Sequence, residues 1–131
     1  MEATMEKISI AHLGNAHSDW LRGLDFYKQE IKILKSRLTE IAGKNSGQDV
    51  MVEVERYENQ FEIQAENIHR LTHDIKSNVK VAGRESQNSG AGYIDGILLD
   101  QHNSLGQRYI TEEKTINELR HSFNEFASGW M

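Results

Sequence analysis

The stretch WLRGLDFYKQEIKILKSRLTEI, from Trp20 to Ile41, places Trp20, Leu24, Tyr27, Ile31, Leu34, Leu38 and Ile41 at alternating steps of four and three. Such steps average about 3.5 residues, close to one helical turn, so these side chains form a stripe along one side of a helix. Followed upstream, the stripe takes in His17, Leu13 and Ile10. The same rhythm returns in Val50, Val54, Tyr57, Phe61, Gln64, Ile68, Leu71 and Ile75. It returns again in Leu98, His102, Leu105, Tyr109, Glu112, Ile116, Leu119, Phe123, Phe126 and Trp130. None of the 131 residues is proline.

The pattern predicts an all-α protein: one domain over residues 1–131, an antiparallel, coiled-coil-like bundle of three long helices spanning about 9–42, 47–82 and 94–129. Ser9 suits the first N-cap, with Ile8 and Leu13 placed as a hydrophobic staple, and Gly43 suits a left-handed stop. The link Lys44 to Gln48 is short enough to turn the second helix back on the first. Ser46 followed by Asp49 reads as a capping box. Gly83 reads as the second stop, and the polar, glycine-rich residues 83–92 as a flexible loop. Gly96 and Gly106 sit within the third helix and each weakens it by about 1 kcal/mol relative to alanine, with a kink or a close helix contact expected near Gly106. Each helix should be about 50 Å long and should depend on burial of its stripe, at about 1.5–3 kcal/mol for each large side chain. Met51, Ile63 and Ala65 lie off the second seam and leave apolar surface on which a second copy could complete the bundle by dimerisation.

Composition narrows the function classes. Apolar residues make up 37% and charged residues 27%, with a mean hydropathy of -0.64. No run approaches the roughly 18 apolar residues that cross a bilayer, and Met1 to Lys7 lacks the apolar core of a secretory signal, so no membrane association and a cytoplasmic location are expected. With no cysteine, disulfides, thiolate metal sites and cysteine nucleophiles are excluded. The net charge is -5, and the nearest approach to a basic stripe is Lys28, Lys32, Lys35 and Arg37, which suit a solvated helix face; no nucleic-acid partner is expected.

Three constellations could carry chemistry. Glu66, His69 and His73 are spaced to share one helical face, where two imidazoles at i and i+4 and a carboxylate one turn away could hold a divalent metal. With Ile68 and Leu71 facing the core, however, the three point outward, continuing the acidic face of Glu55, Glu58 and Glu62. His17, Gln64, His102 and Glu112 instead interrupt the stripes themselves, and a polar group in a seam costs stability unless it is bonded. Counting through the two links brings His17 and His102 to the height of residues 73 to 78, where they could form an alternative metal site or a register-fixing polar layer with Asn78, near Asp74 or His73. Glu112, beside Glu113, reads as facing water at the seam's edge.

Finally, Glu66-x-x-His69 and Glu118-x-x-His121 resemble the motif of the ferritin-like di-iron carboxylate bundles over eight residues. That family requires inward-facing ligands on four helices. Here Ile68 and Leu119 take the inward places on three helices, so no di-iron role is assigned. No phosphate loop, nucleophile elbow or triad spacing stands out, and no small-molecule substrate is indicated. The expectation is a non-enzymatic helical protein that acts through a protein partner or homo-oligomer, with metal binding as the alternative.

Overall fold

The computed structural model describes residues 10–89 and 96–130. They form three helices and no strand: α1 (Ile10–Lys44), α2 (Gln48–Ser89) and α3 (Gly96–Ser128). The buried positions of α1 are Leu13, His17, Leu24, Tyr27, Ile31, Leu34, Leu38 and Ile41, with Trp20 half-buried among them, and the stripe read from the sequence is the inward face. On α2 the buried stripe runs past its expected end at Ile75 to Asn78 and Ala82.

The helix ends differ from expectation for local reasons. Gly43 lies inside α1, and the helix stops one residue after it. The cap is Asn45, whose backbone N and side-chain Nδ2 donate to the Ile41 carbonyl at 3.1 and 2.9 Å. Gly47, not Ser46, precedes α2, and its carbonyl accepts the first helical bond from Met51 at 3.1 Å. Gly83 does not stop α2, which continues to Ser89; a glycine ends a helix only where the chain turns left-handed, and here it stays helical. The expected loop at 83–92 is therefore helical up to Ser89, and residues 90–95 lie outside the described residues, as does Ser9. α3 ends at Ser128, so Trp130 leaves the seam and is 41% exposed, while Ala127 takes the buried place.

The chain divides into two compact units, to each of which every helix contributes a segment. The first comprises Met1–Leu24 and His69–Ile110. Its core includes Leu13, Ala82 and Leu98, with Leu99 packed against them. The second comprises Asp25–Ile68 and Thr111–Met131. Its core is aromatic: Phe123 meets Tyr57 and Phe61 edge-on at ring separations of 5.4 and 5.3 Å, and Phe126 lies 5.1 Å from Tyr57. Polar contacts edge this core. Tyr27 donates to Glu113 at 2.9 Å, Arg37 to Asn124 at 3.1 Å, and Asn45 Nδ2 reaches the Trp130 carbonyl at 3.3 Å. Among the described residues, no helix is long and apolar enough to cross a membrane.

Candidate functional site: a buried histidine pair

In the first unit the two histidines that interrupt the stripes meet. His102 Nδ1 on α3 lies 3.1 Å from His17 Nε2 on α1, with His17 1% exposed and His102 6%. Trp20, three residues after His17 on the same helical face, closes a triangle of rings, its centroid 5.1 Å from His17 and 5.0 Å from His102. Tyr109 stacks on the outer side of Trp20 at 6.3 Å.

Two glycines make this approach possible. A Cβ on Gly106 of α3 would stand 3.1 Å from Trp20 Cζ2, and a Cβ on Gly23 of α1 would collide with the Tyr109 hydroxyl. Each helix thus opens a gap for the other's ring, through Trp20-x-x-Gly23 on one and Gly106-x-x-Tyr109 on the other. The close contact expected near Gly106 is present. The reciprocal role of Gly23 does not follow from the apolar periodicity; its sequence signal is the matching glycine-to-aromatic spacing of three on the two helices.

One N–H lies between the facing nitrogens. If His102 donates it, the neutral His17 carries its own hydrogen on Nδ1; if His17 donates it, Nδ1 is a bare acceptor. Either way His17 Nδ1 is buried without a hydrogen-bond partner in the structure. Burial, followed by repulsion from His102, lowers the His17 pKa to about 4. Burial, followed by the charge of His12, lowers that of His102 as well. The pair is therefore neutral at neutral pH.

The other sequence-derived candidates lie elsewhere. Asn78 is buried, but its Nδ2 donates to Gln101 at 3.3 Å, not to either histidine, and its Oδ1 has no partner. Asp74 is engaged by Arg108 at 2.8 Å, which together with His73 at 3.5 Å holds its pKa down. Glu66, His69 and His73 are all exposed on α2, as are Glu118 and His121 on α3. Among the described residues, no three His, Asp or Glu side chains are grouped so that they could hold a metal ion.

The second unit holds a polar pair of its own. Glu112 is buried, contrary to the expectation that it faces water. With the Gln64 amide oriented so that both groups are satisfied, its nitrogen donates to the two Glu112 oxygens at 2.6 and 3.3 Å. Burial raises the Glu112 pKa to about 7.

The sequence also gave no warning of a groove in the first unit, about 600 Å³, between Asp74, Asn78 and Val81 of α2 and Ile97, Gln101 and Arg108 of α3. Comparison with known proteins finds no match, whether among protein-family models, curated protein sequences or solved structures.

Proposed function

We propose that the chain is a non-enzymatic helical scaffold that works by association, with a protein partner or with a second copy, and that its three helices run antiparallel in sequence order. Residue numbers that rise on α2 and fall on α3 across Asp74–Arg108, Asn78–Gln101 and Tyr57–Ser122 support the direction of those two helices. Numbers that rise together on α1 and α3 across Tyr27–Glu113 and Arg37–Asn124, and go on rising to Asn45–Trp130 just beyond the two helix ends, support the rest.

The observation that carries association is the groove in the first unit. Ile97 and Val81 on its rim are 70% and 41% exposed, above a floor that includes Leu98 and Leu105. Its lining spans Ile97 to Arg108, about three turns of α3, which suits the apolar edge of one further helix. Light scattering at micromolar concentration, with Ile97→Asp beside the parent, tests the reading. Association that Ile97→Asp abolishes is expected. A parent chain that stays monomeric and retains no partner in a pull-down from its own cell extract refutes it.

A further inference from the structure

We propose that the His17–His102 contact is an acid-released lock between α1 and α3 in the first unit. This goes beyond the scaffold reading and does not depend on any partner. The facing nitrogens, 3.1 Å apart, share one hydrogen when both rings are neutral. A first added proton can sit on an outward nitrogen, and the N–H···N bond survives, though a cation is now buried. A second puts hydrogens on both facing nitrogens, so the bond is lost and two cations face each other. The two protons belong to the pair and not to one ring.

The surroundings offer such a cation little relief. On α1 the neighbouring charged groups are His12, Asp19 and Arg22, the last two bonded to each other. On α2 they are His73, Asp74, Lys76 and Lys80, with Asp74 paired to Arg108 of α3. On α3 Asp100 is exposed and the Tyr109 ring covers Trp20. The charged influences are that of His102 on His17 and that of His12 on His102, both of one sign when protonated. The sign follows: a histidine whose folded pKa lies below its unfolded 6.5 contributes stability that is present above 6.5 and is lost as pH falls towards the folded value. Trp20, against both rings, moves when they part and so reports the release.

The experiment follows Trp20 emission in the full chain carrying Trp130→Phe, from pH 7.5 to 3, with far-ultraviolet circular dichroism alongside. A shift of emission to the red is expected, together with two of the six histidine ring resonances titrating as a pair below 6.5. The His17→Leu/His102→Leu chain should show no such shift over the same range. Should that chain fail to fold, His102→Gln keeps a donor to His17 but removes one titrating ring, and the shift should lose its two-proton steepness. Unmoved Trp20 emission in the Trp130→Phe chain overturns the proposal. So does a shift that persists unchanged in the double-leucine chain, or undiminished steepness in His102→Gln.

Discussion

Replacing Glu112 by Gln should flatten one limb of this protein's pH–stability curve. Glu112 is buried, and burial lifts its pKa from 4.5 to about 7. A carboxyl so shifted favours its neutral form by roughly 3 kcal/mol. Because the folded pKa lies above the unfolded one, the neutral acid's contribution is fully present below 4.5 and is lost as pH rises through 7. Wild type alone would mask this, since His17 acts with the opposite sign between 6.5 and about 4. In the shared window unfolding releases a proton from Glu112 and takes one up at His17, so the two slopes oppose. The comparison of Glu112→Gln with wild type isolates the carboxyl. Urea unfolding of both chains at pH 4.5, 6 and 8 should show wild type losing about 3 kcal/mol relative to the variant, a midpoint change of roughly 1.5 M for an m-value of about 2 kcal/mol/M. Gln64→Leu removes the amide that donates to the ionised form and should extend the loss to higher pH and deepen it, with the carboxylate penalised more heavily. A wild-type-to-variant gap that stays constant within about 0.5 kcal/mol across that range would mean Glu112 titrates as an ordinary carboxyl. The buried acid–amide pair would then be wrong.

Other substitutions probe the packing. Gly14→Ala and Gly43→Ala, with nothing near the added Cβ, should each raise stability by up to about 1 kcal/mol, whereas Gly23→Ala, which drives a methyl into Tyr109, should lower it by about 1–3 kcal/mol. Tyr109→Phe should recover part of the Gly23→Ala loss in a double-mutant cycle followed by thermal melting, because the colliding hydroxyl is gone while the ring carbons remain close. Phe123→Ala should cost about 3–5 kcal/mol in chemical denaturation, since the ring is fully buried among Tyr57, Phe61 and Phe126. Asn45→Ala should cost about 1 kcal/mol and speed amide hydrogen exchange in the last turn of α1, whose Ile41 carbonyl it caps.

The helices and most of their inward faces were legible because burial has a period. Leu13 through Ile41 on α1 and Val50 through Ile75 on α2 occupy the buried places the 3,4 spacing assigns. Ends were less legible, because they turn on single side chains. Gly83 looked like a terminator and stayed helical, while the side chain of Asn45, not Gly43, closes α1. Trp130 fitted the spacing but not the helix, which had already ended at Ser128. The meeting of His17 with His102 followed from counting heights through the links. The same counting, carried further down α2, would have brought Gln64 to Glu112, but Glu113 beside it suggested a solvated edge. The groove was invisible to periodicity, because it depends on the gap between two helices and not on the pattern of either.

The polar interruptions of the stripes are matched across helices, imidazole to imidazole and amide to carboxyl. That matching bears on register in a way apolar packing cannot. Sliding α3 by seven residues would keep a stripe facing a stripe, so the apolar burial of the slipped form would resemble the native one. In the direction that advances α3 by seven residues, it would also carry Tyr109 to the height of His102 and Leu119 to that of Glu112. Four buried polar side chains would then face apolar neighbours, each at a cost of about 1–3 kcal/mol. The two pairs therefore discriminate against a neighbouring register. If that is their role, His17→Leu/His102→Leu with Gln64→Leu/Glu112→Leu should fold at least as stably as wild type in urea at pH 7 yet give doubled amide resonances from coexisting registers. A single sharp set of resonances from the four-site variant would show that the apolar side chains alone hold α3 in place.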